Sequence, residues 1–198
     1  EVREAGIACD GDGLIIGDTL FTVCPWWDGP LVKQRIIEQL RDAAVDRPQR
    51  WIWAHHAPPA NSPTSWGGAR YFGDAELVQW IESYKPDMVL SGHVHQSPFV
   101  KDGSWFDRLG ETWVFNVGQQ FGRPPAHIML DLDNEKAYWF SAAGEQSIDL
   151  SQPLQNFQFD VATLTVAQAL PGGVFMALAI LLLTTIFVAT TGDSMSYA

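Results

Sequence analysis

The chain has 198 residues, a formal net charge of −11, and a hydrophobic content of 46% that includes nine Trp and eleven Phe. That length holds one domain of ordinary size plus a tail, and the apolar content excludes a globally disordered chain. A balance this acidic excludes binding of nucleic acid or an anionic membrane through a basic face, and a phosphorylated substrate would need local positive charge such as metal ions.

Residues 1–12 have weak periodicity and close in a Gly/Asp turn. Leu14–Asp18 and Thr19–Cys24 read as two short strands about Gly17-Asp18. Pro25-Trp26-Trp27-Asp28-Gly29-Pro30 is a loop whose indoles either pack over a sheet edge or wall a substrate pocket. Leu31–Ala44 has the spacing of an amphipathic helix, with Leu31, Ile36, Ile37 and Leu40 on one side. Two cysteines, Cys9 and Cys24, are too scattered for a disulfide framework or a zinc ribbon; a single bridge between them stays open, and such sparse usage favours a reducing compartment.

Trp51-Ile52-Trp53-Ala54 is an apolar strand that runs into His55-His56 and stops at Pro58-Pro59, since proline forbids its continuation. The loop Ala60–Gly73 is long enough to carry function, and Arg70 within it either holds a phosphate bidentately or is solvated. Leu77, Val78, Trp80 and Ile81 form a helical stripe over Asp74–Tyr84. A second apolar strand, Asp87–Leu90, ends at Ser91-Gly92 and is followed by His93 and His95. Strand, helix, strand is a crossover unit, which places the two strands parallel with their C-terminal ends on one edge, where ligand sites of α/β sheets lie. On extended backbone, residues i and i+2 share a side, so His93 and His95 are expected to converge with His55.

Beyond Gln96 the signal turns to strands: Pro98–Val100, Thr112–Phe115, His127–Leu132 and Lys136–Phe140, the last two joined by a turn at Asp133-Asn134-Glu135. His127 follows Pro124-Pro125 and is either structural or supports the site. From Gln146 the periodicity and the basic residues lapse, so 151–171 is expected to be a linker. Val174–Ala189 carries no charge; 172–190 is expected to be an apolar helix crossing a membrane, followed by a polar tail at 191–198. Its orientation is unreadable, because no Lys or Arg follows Lys136.

An apolar strand ending His55-His56-Ala-Pro-Pro, then a helix, then a strand ending Gly92-His93-Val-His95, resembles the C-terminal half of the calcineurin-like metallophosphoesterases. Asn116-Val-Gly118-Gln is similar to the Asn-Pro-Gly-Ser turn of those enzymes, with Val and Gln as departures. The resemblance covers residues 12–150, so 1–150 is expected to be the C-terminal portion of such a domain. It implies an α/β fold, half of a four-layer α/β/β/α sandwich, to which the apolar C-terminal helix is added.

The resemblance also implies a dinuclear site of two divalent ions (Mn, Fe or Zn) acting on a small phosphorylated substrate, a phosphate mono- or diester. His55 and His93 would bind one ion and His95 the other. His56, Asn116 and Arg70 would support the site or face the substrate. The family's earlier motifs, Asp-x-His, Gly-Asp-x-x-Asp and Gly-Asn-His-Glu, are missing, and with them the bridging carboxylate and the catalytic-acid histidine. Gly17-Asp18 lacks its second carboxylate, since Phe21 stands three residues on, and Asp10, Asp12 and Asp18 are the upstream carboxylate candidates. The chain is therefore expected to be part of a longer enzyme and inactive alone. It would be membrane-associated through the C-terminal helix, with the phosphoesterase portion cytoplasmic in preference to periplasmic. The competing reading is a non-catalytic metal-binding or membrane-tethered interaction domain, in which three histidines hold one zinc ion or are incidental.

Overall fold

The computed structural model describes residues 8–45 and 47–152. Its centre is a six-stranded mixed sheet of β1 (Gly13–Ile16), β2 (Thr19–Val23), β3 (Arg50–Ala54), β4 (Met88–Ser91), β5 (Phe106–Leu109) and β6 (Thr112–Asn116), in the order β1-β2-β3-β4-β6-β5. The strands β2, β3, β4 and β6 are parallel, while β1 and β5 are antiparallel edges. Gly17 makes the β1–β2 turn at φ +60, where a Cβ would be strained, so Gly17-Asp18 is a hairpin turn as expected. Asp18 then lies 3.9 Å from Arg50 at the start of the parallel strands.

Two helices supply the crossovers: α1 (Pro30–Val45) between β2 and β3, and α2 (Ala75–Tyr84) between β3 and β4. Both cover one face of the sheet, where Ile36 and Leu40 of α1 and Leu77, Trp80 and Ile81 of α2 form one buried cluster with Trp51, Trp53, Val89 and Val114. Alternation along the strands sends Ile52, Met88, Trp113 and Phe115 to the other face. Leu31 departs from the expected stripe. In the first turn of α1 it is 78% exposed, because the helix meets the sheet only from Val32 onward. Asp74 caps α2, its Oδ1 accepting from the N–H groups of Glu76 (2.8 Å) and Leu77 (3.4 Å), and Lys85 ends the helix in the left-handed region at φ +49.

A second, three-stranded antiparallel sheet of β7 (His127–Asp131), β8 (Lys136–Ser141) and β9 (Gly144–Asp149) faces the side without helices. Aromatic rings join the layers: Trp139 of β8 stacks on Trp105 at 6.3 Å, and Trp105 stacks on Phe115 at 6.0 Å. The Trp139 and Trp113 indole N–H groups donate to the carbonyls of Val117 and Leu150.

Two expectations are corrected here. Ser97–Phe99 is a 3-10 turn and no strand, because Pro98 removes a ladder donor and Ser97 Oγ is drawn inward to the Thr64 and Trp66 carbonyls. Gln146–Asp149 belongs to β9 and not to a linker: it is a solvent-facing edge strand, and its pattern is polar apart from Ile148. Among the described residues no helix is long and apolar enough to cross a membrane. The expected span 172–190, with its tail and nearly all of its linker, lies outside the described residues.

Candidate functional site

The site is set by strand register. Ile52 stands beside Met88 and Ala54 beside Leu90, and the ladder runs past both strand ends: His55 N–H donates to Leu90 O at 2.9 Å, and Gly92 N–H to His56 O at 3.1 Å. That register brings His56 next to Gly92-His93. The two-residue period of β3 then parts the adjacent imidazoles. His55 is in phase with Trp51 and Trp53 and turns toward the helices, while His56 turns to the open side.

His55 is buried, its ring 6.1 Å from Trp80. A carbonyl only accepts, so Nδ1–H donates to Ala57 O at 2.9 Å and Nε2 keeps its lone pair. That Nε2 has no hydrogen-bond partner and lies 3.7 Å from Asp74 Oδ2. Burial holds the His55 pKa below its ordinary 6.5, against the opposing pull of the Ala57 carbonyl and the Asp74 carboxylate. Asp74 is fully engaged, with Oδ2 accepting the Trp27 indole N–H at 2.7 Å and Oδ1 capping α2. Sequence reasoning gave Asp74 no role, although an Asp directly before a helical stripe is the signal of a cap.

His56 and His93 are exposed and meet directly, His56 Nε2 to His93 Nδ1 at 3.1 Å, with Trp26 edge-on to His56 at 4.2 Å and 5.6 Å from His93. The backbone under His93 is not extended: φ is +63, and the next peptide turns so that Val94 N–H donates to Gly92 O at 2.7 Å. The expectation that His93 and His95 share a side on extended backbone is therefore corrected. Val94 is buried between them, and His95 is exposed away from the His56–His93 pair and lines neither cavity described below. Burial, then the neighbouring His56 and His95, lower the His93 pKa, which favours the neutral ring that a metal requires.

Buried polar groups fix the turn. Asn116 Nδ2 donates to Thr64 O (2.7 Å) and Val94 O (2.9 Å), while its Oδ1 accepts from Gly118 N–H (3.0 Å). Asn116 thus holds the peptide between the two histidines and has no hydrogen-bonding capacity left for a ligand. Ser62, Thr64 and Ser65 are buried, so the first part of the Ala60–Gly73 loop clamps the histidine turn. Arg70 remains exposed, its guanidinium 4.5 Å from the centre of the Phe72 ring.

Two cavities share Trp26. One of about 530 Å³ is lined by Asp10, Cys24, His55, His56, Phe115 and His127, among others; one of about 330 Å³ is lined by Trp27, Phe72, Asp74, Glu76 and His93. Of the upstream carboxylates, Asp10 reaches the histidine edge of the sheet. Asp12 accepts from Cys9 N–H at 2.7 Å, and Asp18 sits at the opposite edge. No disulfide joins Cys9 and Cys24, and burial, then Asp10, push the Cys24 thiol up to about 12, which keeps it protonated at neutral pH.

Two imidazole nitrogens bound to one ion at about 2.0–2.1 Å stand roughly 3 Å apart at neighbouring corners of a coordination polyhedron, so the His56–His93 separation fits a shared ion. Among the described residues, no group of three or more His, Cys, Asp or Glu side chains is placed to hold a metal. The pair fits two corners and requires further donors.

No family model and no curated protein matches the chain. It is similar in fold to a solved crystal structure at 13% identity and a TM-score of 0.46, covering 71% of this chain and 53% of that one. It is also similar to TT1561 of Thermus thermophilus at 16% identity and a TM-score of 0.41, covering 71% of this chain and 58% of that one. The chain thus spans little more than half the length of these structures, and at such scores neither likeness carries a ligand or a reaction across.

Proposed function

We propose that this chain is part of a metal-dependent phosphoesterase in which His56 and His93 hold one divalent ion at the C-terminal edge of two parallel strands. The 3.1 Å approach of their ring nitrogens carries the reading. His56 takes the place expected for His55, and His95 remains the candidate for a second ion. Mn, Fe and Zn all suit imidazole and carboxylate donors. A bound ion would supply an activated water and neutralise charge on a phosphoryl group. The chain's own residues do the rest: His56 and His93 present neutral nitrogens, Asn116 and Ser97 fix the turn beneath them, and Trp26 shields one side. Two stacked sheets with helices on one of them are half of the four-layer sandwich proposed for the whole enzyme. The substrate class is a small phosphorylated molecule, and a tether through 172–190 accompanies the reading.

Calorimetric titration of the 198-residue chain with Zn²⁺ or Co²⁺ tests the pair. One ion is expected to bind weakly, and His56→Ala or His93→Ala should each weaken it by at least about 10-fold, whereas His55→Gln should leave it within about 3-fold. Binding lost in His55→Gln and kept in His56→Ala would overturn the assignment. With two imidazoles and no grouped carboxylate, the chain alone should show no metal-stimulated hydrolysis of an aryl phosphate above a heat-treated control.

A further inference from the structure

The smaller cavity has a chemistry that the metal pair does not use. Three aromatic side chains, Trp26, Trp27 and Phe72, line it together with the carboxylates of Asp74 and Glu76, and His93 stands at its wall. No Lys or Arg lines it among the described residues. At about 330 Å³ it is at the small end of ligand sites, sized for a compact group and not for an extended one. Trp26 and Phe72 are 48% and 41% exposed, which is uncommon for such large rings unless they serve a surface that binds.

The walls already attract cations. Lys33 Nζ forms a 2.6 Å ion pair with Glu76 and stands 5.9 Å from the centre of the Trp27 ring, and Arg70 Cζ stands 4.5 Å from that of Phe72. Both contacts place positive charge over electron-rich ring faces, the geometry in which a cation gains from the ring quadrupole. Two lining carboxylates against one neutralising lysine leave the cavity electronegative in a chain that already carries −11. Such a cavity repels a second phosphate and favours an ammonium group.

We infer that this cavity binds a quaternary or primary ammonium group, so that the substrate is the phosphate ester of a small amino alcohol. Its cationic end lies among Trp26, Trp27 and Phe72, and its phosphate lies toward His93. The substrate class rests on the phosphoesterase reading above; the cation site itself does not. A zwitterionic substrate also answers the charge problem, because its ammonium group offsets the repulsion between a phosphate and the acidic background.

Choline and its neutral isostere 3,3-dimethylbutan-1-ol separate charge from shape. Each is titrated into the ¹⁵N-labelled 198-residue chain while the Trp indole N–H resonances are followed, with Trp26→Phe and Trp27→Phe used for assignment. Choline should shift the Trp26 and Trp27 resonances saturably, and the alcohol should bind about 10-fold more weakly or not at all. Phe72→Leu and Glu76→Gln should each weaken choline by about 3- to 10-fold with the remaining indole spectrum unchanged, which reports an intact fold. Equal affinity for the two compounds, the absence of a saturable shift, or unchanged binding in Phe72→Leu would overturn the cation site. Choline bound by a chain whose His56→Ala and His93→Ala variants take up metal unchanged would keep the cation site and remove the phosphoesterase reading. Metal bound through that pair with no choline shift would do the reverse.

Discussion

The two sides of the sheet end beside β3 are made from similar residues and behave as opposites. On the helix side, Trp51, Trp53 and His55 are buried against α1 and α2, and His55 spends its one hydrogen bond on its own loop. On the open side, Trp26, His56 and His93 touch one another and remain exposed. A tryptophan or histidine on the first side holds the protein together, whereas on the second it is available to a ligand. One residue of register along β3 decides which.

The comparison breaks most visibly on tryptophan. Trp53 is fully buried, packed edge-on against Trp51 at 5.2 Å. Trp53→Ala should cost about 3–5 kcal/mol in urea unfolding, whereas Trp26→Ala should stay within about 0.5 kcal/mol. Trp53→Phe should cost much less than Trp53→Ala, because it keeps a ring and removes an indole N–H that has no partner. Equal losses at Trp53 and Trp26 would mean that the open side is also core.

A smaller effect separates the histidines by pH. The folded-state pKa of His55 lies below its ordinary 6.5 because burial disfavours the charged ring. The unfolded chain therefore takes up a proton at higher pH than the folded one. The stabilising contribution is fully present above about 6.5 and is lost as pH falls through that value toward the folded pKa, by up to about 1.4 kcal/mol per pH unit for one proton. His55→Asn should flatten the fall in unfolding midpoint between about pH 7.5 and 5.5, while His95→Asn should leave it unchanged. A pH profile identical to wild type in His55→Asn would show that His55 charges as readily folded as unfolded.

These contrasts also show what was legible in the sequence. The crossover and its shared strand edge followed from the two apolar runs and the Leu77-Trp80-Ile81 stripe, because burial on one face enforces a period that a reader can count. The choice between His55 and His56 was legible too, since Trp51, Trp53 and His55 share a phase. A match of the His-His-x-Pro-Pro pattern passed over that parity. The turn at His93 was not legible, because a histidine in the left-handed region is set by buried partners distant in sequence: Asn116 holding Val94 O, and Thr64 holding Asn116. β9 escaped notice because an exposed edge strand needs little apolar patterning, and Ile148 is its one buried residue.

The finest contrast lies within the metal pair. His56 and His93 meet as equals in the ring contact, yet of the two only His93 has positive φ, at +63. There a Cβ crowds the backbone, at a cost of about 1–2 kcal/mol that glycine avoids. The neighbouring Gly92–Val94 turn and the Asn116 bond to Val94 O hold the conformation against that cost. Removing the imidazole while keeping the Cβ should leave the strain in place, whereas removing both should release it. His93→Gly should therefore be more stable than His93→Ala by about 0.5–1 kcal/mol, after the greater freedom of glycine in the unfolded chain is counted against it. The matched pair at position 56 should order the other way, with His56→Ala more stable than His56→Gly by a few tenths of a kcal/mol, roughly the entropic disadvantage of glycine alone. Chemical unfolding of the four variants reads both differences. The same sign at 56 and 93 would mean that the left-handed turn is not strained, and that the position of His93 is a local preference and not one imposed by Asn116 and Thr64.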